Sequence, residues 1–512
     1  MTNPSAHKSN NLNEAKQMGA LAAIASLGYI FWIVGGMEIV ERIAYYGVKS
    51  SASLYARAPV SEGGLGITMT DFGIILSIWA LLQTFVPVFS GGISDRVGYK
   101  ETIAASTVIK ISGYLVMGYN PTFWGFMMGA ILLAIGTGIF KPGIQGTLAK
   151  ATKRENSTMA WGVFYQLVNL GSFFAPLLAV HLRQLAWSHV FFACAAIISL
   201  NFLFLLTYQE PEKEKRLALK AKIKSGEVKQ EALWKAAWKE LKKPIVFWYM
   251  LVFSGFWFMF NALFDVLPVH IADWIDTTNI VSDLFGEGGT RSGIAQFWLG
   301  LNNAGTKVMP EGILNLNALM IMTTCFLFAA WTAKYRIVNS MLAGALASVL
   351  SMVMIGYFQG AWIIVFAITI FSVGEMIISP KKNEFMSNIA PDDKKAMYLG
   401  FVMLPQGIGW TAEGYWGPRL YDIYASKEVI SRGMLTDEGV DVSTIPQGEA
   451  FQKLVEFTGQ NADVLTQQLY QANDIGMAWY IIGAIGSLSA FGIYFYGKWL
   501  FRMQQADTQK GA

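Results

Sequence analysis

The chain has 512 residues, of which 54% are hydrophobic and only 14% charged, with a net charge of +4. A soluble domain carries about a quarter charged residues, so a chain this long and this poor in charge lacks the polar groups to cover itself in water. The small, unevenly spread positive charge also argues against nucleic acid as a partner. The two cysteines, Cys194 and Cys325, lie in apolar runs of different halves and offer neither a disulfide framework nor a metal spacing.

Residues 1–18 are polar and read as a cytosolic tail, and the apolar run after them is too long for the hydrophobic region of a cleavable signal. A bilayer core needs about 20 apolar residues per helix. Windows of that size open near Gly19, Asp71, Thr102, Thr122, Met159 and Trp187, then near Ile245, Glu311, Ile337, Ala361, Ala396 and Gly476. This predicts an all-α membrane protein of 12 transmembrane helices in two six-helix bundles, residues 19–208 and 244–500. Between them, 209–243 is rich in Lys and Glu. The spacing of Leu233, Trp234, Ala237, Trp238 and Leu241 predicts an amphipathic helix along the cytosolic membrane surface. Two long outside loops, 276–310 and 421–474, carry no assigned role, and 501–512 form a second cytosolic tail. Lys and Arg concentrate in the segments that this topology places inside. Both termini are therefore expected in the cytosol, in a multi-pass protein of the cell (inner) membrane.

Charge inside the spans is the functional signal. Glu38, Glu41, Arg42, Tyr45, Tyr46 and Lys49 follow one another at helical spacing in the first span. An ion within a spanning helix costs several kcal/mol unless paired or hydrated, so this stripe predicts a polar cavity. Lys141 follows in Gly136-Thr137-Gly138-Ile139-Phe140-Lys141-Pro142-Gly143, where the glycines permit close helix packing and Pro142 removes a backbone donor. Lys110 lies inside the third span without an evident partner.

Six plus six helices around a basic linker is the plan of the major facilitator superfamily. The motifs resemble one branch of it, the proton-dependent oligopeptide transporter family. Glu38-x-x-Glu41-Arg42-Ile43-Ala44-Tyr45-Tyr46-Gly47 resembles that family's E-x-x-E-R-F-x-Y-Y-G signature, and the Lys141 segment its fourth-helix run. Phe164 to Ser172 is similar to the fifth-helix F-Y-x-x-I-N-x-G-S. Asn317 to Ile321 is similar to the eighth-helix N-P-L-F-I, and Gly374 to Pro380 to the tenth-helix G-E-L-L-L-S-P. The resemblance implies proton-coupled uptake of di- and tripeptides by alternating access. By the same resemblance Glu38, Glu41 and Arg42 form a proton-linked network with Lys141, and Glu375 meets the peptide amino group. Asn169 and Asn317 would bond the peptide backbone, while Tyr45, Tyr46, Lys49 and Lys141 complete the pocket. A zwitterion needs a fixed anion and a fixed cation a peptide length apart, and Glu375 facing Lys141 or Lys49 meets that need.

Some positions depart from the family pattern. Lys49 stands where arginine is usual, and a lysine lacks the guanidinium fork. The seventh span has Asp265 as its single acid, which is expected to pair with Lys49 as an outer gate. The eleventh span carries Trp410 and Glu413, and the proline after Asn317 is missing. Gly91 to Lys100 resembles the superfamily loop motif G-x-x-x-D-R-x-G-x-K, which assigns Asp95 and Arg96 to gating. The four histidines sit in tails or near helix ends and build no metal site. The sequence has no G-x-S-x-G, no H-E-x-x-H and no phosphate loop, so an enzyme is not expected. The expected partners are a short peptide or similar zwitterion, protons and the lipid bilayer, with the proton as coupling ion and no other cofactor. A monomer is expected to suffice. Carriage of another small zwitterionic or anionic solute is the alternative, ahead of a non-transporting membrane sensor.

Overall fold

The computed structural model describes residues 20–153, 156–210, 213–214, 218, 233–332, 334–391, 398 and 400–510. Twelve long helices cross it. They are α1 (Tyr29–Lys49), α2 (Met69–Val97), α3 (Tyr99–Tyr119), α4 (Phe123–Ala151), α5 (Ser157–Arg183) and α6 (Trp187–Thr207), followed by α7 (Pro244–Asp265), α8 (Pro310–Thr332), α9 (Ile337–Tyr357), α10 (Ala361–Ile389), α11 (Leu404–Tyr424) and α12 (Met477–Lys510). Eight of them hold a stretch apolar enough by composition to cross a membrane. Of the other four, α1, α3 and α11 are each 21 residues long and carry charged groups discussed below, while α8 is 23 residues long with some side chains outside the described residues.

Ten helices begin within three residues of the expected position. The first does not, and the opening expected near Ala396 lies outside the described residues. A short helix, Ala20–Ala25, precedes α1, which begins only at Tyr29. Glu38 therefore lies nine residues into its helix, about 14 Å along the axis at 1.5 Å per residue, and not at its far end. This places the charged stripe in the body of the bundle.

In the first bundle α1 packs on α5 and α6, and α3 packs on α4 and α6; in the second, α9 packs on α10 and α12, and α7 on α11 and α12. The bundles meet chiefly along α2 with α11 and α5 with α8. The α2–α11 seam brings backbones into contact. A Cβ on Gly73 would lie 2.5 Å from the Gly414 carbonyl oxygen, and one on Gly414 would lie 2.8 Å from the Ser77 nitrogen. Only glycine permits that approach.

The two long loops are folded. Thr278–Phe285 and Gly293–Leu299 are helical in the first, and Lys427–Asp437, Ala450–Thr458 and Ala462–Ala472 in the second. In the second loop, Arg432 donates to Glu428 at 2.8 Å and to the carbonyls of Val442, Ile445 and Pro446. The loop reaches the other bundle, where the Ser61 hydroxyl donates to Glu449 at 2.6 Å. In the first, Trp298 stacks on Phe173 of α5. Of the expected amphipathic linker, Leu233–Leu241 is helical; most of 211–232 lies outside the described residues.

Candidate functional site

The α1 stripe divides between two faces. Arg42 donates to Glu38 one turn earlier at 2.6 Å, and Tyr46 lies beside Arg42. Glu41 is one residue, or 100° of rotation, from Arg42, and it points into the first bundle. There, fully buried, it pairs with the equally buried Lys110 of α3, and Thr137 of α4 donates to it at 3.2 Å. Lys141 lies within electrostatic reach of its expected partners Glu38, Glu41 and Arg42. Glu41 is neutralised by Lys110, and Lys141 forms no ion pair among the described residues. Lys110, unexplained in the sequence, owes its place to a glycine. A Cβ on Gly136 would lie 2.4 Å from the Lys110 Cγ. Its ammonium also lies 3.8 Å from the centre of the Phe140 ring.

In the second bundle, Glu375 of α10 is buried and accepts from the Asn317 amide of α8 at 2.9 Å. That same amide donates to Ser372 at 3.0 Å, so Asn317 holds Glu375 in place. Asn169 donates to the Tyr165 carbonyl of its own helix at 2.9 Å. Tyr46 and Tyr165 from the first bundle lie within electrostatic reach of Glu375. So does Lys382, whose ammonium is 4.3 Å from the Trp257 ring centre and also senses Lys141. Lys382 lies just beyond the Gly374 to Pro380 motif, outside the residues that carry the family resemblance. Its spacing of seven residues from Glu375, two helical turns, was the available signal. Lys382 thus lies within electrostatic reach of Glu375 on its own helix and of Lys141 from the other bundle.

At one end the bundles are tied by three ion pairs. Lys49 of α1 pairs with Asp265 of α7, its ammonium 4.8 Å from the ring centre of Trp410 and 5.6 Å from that of Trp79. Tyr45 and Trp79 both donate to Gln83 at 3.0 Å behind this pair. Arg57 pairs with Asp273, which also accepts from Tyr421 at 2.7 Å. Arg183 makes a two-pronged contact with Glu311, at 2.5 and 2.9 Å. The last two pairs join short-range sequence contexts that look like ordinary helix ends, and nothing in the sequence links them. Asp95 and Arg96 stand in the last turn of α2, and their side chains lie outside the described residues.

A family model described as Major Facilitator Superfamily matches residues 43–412. The multidrug resistance protein MdtH of Klebsiella pneumoniae (strain 342) is 22% identical over 408 residues, covering 78% of this chain and 88% of that protein. The di-/tripeptide transporter of Lactococcus lactis subsp. lactis (strain IL1403) is 27% identical over 176 residues, 33% of this chain and 35% of that protein. An uncharacterized transporter of Bacillus subtilis (strain 168), YclF, is 28% identical over 163 residues, 31% of this chain and 33% of that protein. The chain thus spans about a third of the length of these last two relatives. Among solved structures, a POT family transporter in complex with a thioalcohol-conjugated peptide superposes with a TM-score of 0.62 at 17% identity, covering 88% of this chain and 98% of that one. The likeness bears out the two-bundle fold.

Proposed function

The chain belongs to the Major Facilitator Superfamily, and within that superfamily of transporters we propose that it is a proton-coupled symporter importing di- and tripeptides by alternating access. The observation that carries this reading is Glu375, held by Asn317 in the second bundle, together with Lys382, which lies within electrostatic reach of both Glu375 and Lys141 of the first bundle. A peptide's ammonium and carboxylate fit such a pair of fixed charges, and the Arg42–Glu38 pair beside Lys141 supplies titratable groups next to the carboxylate end. The three ion pairs that tie one end support a state closed on that side. With both termini in the cytosol, as the basic residues favour, the closed end is the outer one and the cavity faces inward. The partial match to a di-/tripeptide transporter supports the substrate class.

Carriage of another small zwitterion or anion, in either direction, is the second reading. It is favoured by the longer match to a multidrug resistance protein and by the second cation that Lys382 adds within electrostatic reach of Lys141. Uptake of labelled dialanine into proteoliposomes, with and without an inward proton gradient, separates the two. Gradient-driven accumulation competed by other dipeptides and lost in Glu375→Gln supports peptide symport. Folded protein that takes up no dipeptide refutes it.

A further inference from the structure

We propose that Asp265 and Glu413 hold one proton between them at the junction of the bundles, which makes Glu413 of α11 a proton-binding residue separate from the α1 stripe. Glu413 is fully buried, and neither of its oxygens receives a hydrogen bond from any donor among the described residues. Asp265 is in the same position by half. One oxygen accepts from Lys49, and the other, Oδ2, is buried with no donor. The two carboxyl groups interact directly, with Lys49 beside both. Glu413 is confined there by its own helix, because a Cβ on Gly417 would lie 2.3 Å from its Oε1.

The charges facing this point do not balance. From α7 comes Asp265, and from α1 come Lys49 and the Tyr45 phenol, which senses Asp265. From α2 come Trp79 and Gln83, neither of which titrates. Among the described residues of α12, which also packs on α11, no titratable group reaches Glu413. Arg42 is engaged with Glu38, and Arg57 with Asp273. One lysine thus serves two buried carboxyl groups. Two like charges sharing a dry site resist joint ionisation, and an orphaned buried oxygen costs about 1–3 kcal/mol. One added proton addresses both. It leaves a carboxylate for Lys49 and turns the second carboxyl into the donor that Asp265 Oδ2 lacks. When that proton leaves, two carboxylates compete for Lys49, and the tie between α1 and α7 weakens. Proton occupancy here therefore biases whether this end of the bundles stays shut. The shared proton stands whatever solute is carried; only its link to uptake rests on the symport reading above.

Infrared spectra of the full-length protein in lipid nanodiscs at pH 7, without substrate, test this through the carbonyl band of protonated carboxyl groups. Wild type, Glu413→Gln, Asp265→Asn and the double variant are compared, each first shown to be monodisperse and to unfold cooperatively. Either single substitution is expected to remove one carboxyl's worth of band, because the remaining acid ionises against Lys49. The double variant is expected to remove no more than either single one. That non-additivity is the signature of one shared proton. An unchanged band in folded Glu413→Gln overturns the proposal, and so does a double variant that loses two carboxyl groups. Should Asp265→Asn fail to fold, Glu413→Gln alone still decides between loss and no loss. Because no solute is present, a negative dialanine experiment leaves this result intact, and an unchanged band leaves the uptake result intact.

Discussion

Replacing Lys110 with methionine removes the cation that neutralises Glu41 while keeping an unbranched stem against Phe140. Both members of the pair are fully buried, so solvent cannot take the lysine's place. The remaining carboxylate would keep the Thr137 hydroxyl as its donor. Breaking such a pair costs about 3–5 kcal/mol when the partner stays charged. The alternative is to hold Glu41 neutral. For a carboxyl of ordinary pKa about 4.3, at about 1.36 kcal/mol per unit, that costs about 3.7 kcal/mol at pH 7. The cheaper route sets the penalty, so Lys110→Met should destabilise by about 3–4 kcal/mol at pH 7. The sign of the pH dependence follows. In the variant the native state carries a proton that the unfolded chain releases, so lowering the pH favours the native state. The defect should shrink by about 1.4 kcal/mol per pH unit between pH 7 and pH 5. Wild type should change little over that range, since its Glu41 keeps the Lys110 ammonium beside it. Lys110→Met with Glu41→Gln should recover most of the loss. Unfolding in mixed dodecylmaltoside and SDS micelles at pH 7, 6 and 5 measures all of this. A defect below about 1 kcal/mol at pH 7, or one independent of pH, would refute the reasoning that this pair is dry and mutually dependent.

The ion pairs that tie one end of the bundles carry further predictions. Lys49→Asp and Asp265→Lys should each abolish transport, and the combined reversal should restore part of it, with a coupling of about 1–3 kcal/mol in a double-mutant cycle; equal defects in the single and combined variants would sink the pairing as a gate. Arg183→Lys should open the same end more readily than wild type, because lysine cannot make the two-pronged contact with Glu311. Faster labelling of a cysteine introduced at Asn303, on the loop that Gln184 holds, reads this, and an unchanged rate counts against it. In the loop after α11, burial between Trp274 and Phe451 pushes the Lys427 ammonium down to about 8. The neutral amine is therefore half populated near pH 8, where an ordinary lysine of pKa about 10.4 is almost wholly charged. Competitive acylation across pH 7 to 11 should show Lys427 reacting with a midpoint near 8, and a midpoint at the ordinary value would contradict its burial.

Span positions were legible because crossing a membrane is a local property: about 20 apolar residues suffice, whatever lies elsewhere in the chain. Where that rule misplaced α1, the cause was a break at residues 26–28 inside a continuous apolar run, which hydropathy does not register. The types of residue at the site were also readable, since charge in a lipid-facing segment is costly enough to mark itself. Lys141, Arg42 and Glu38 mark themselves that way, whereas Glu375 enters through the resemblance of Gly374 to Pro380 to a family motif. Partner choice was not readable. Glu41 and Arg42 are adjacent in the chain, yet a rotation of 100° sends one into the first bundle and the other to the cavity. Lys110 is 69 residues from Glu41, and Lys49 is 216 from Asp265. The second contact was suggested by two unmatched charges at the outer ends of their helices, whereas the first needed the gap left by Gly136. The unmatched carboxyl of Glu413 likewise emerges only when α1, α7 and α11 are assembled. One sequence position states which charge is present, but the number of opposite charges within reach is a property of three helices packed together, and burial without water makes that number decisive.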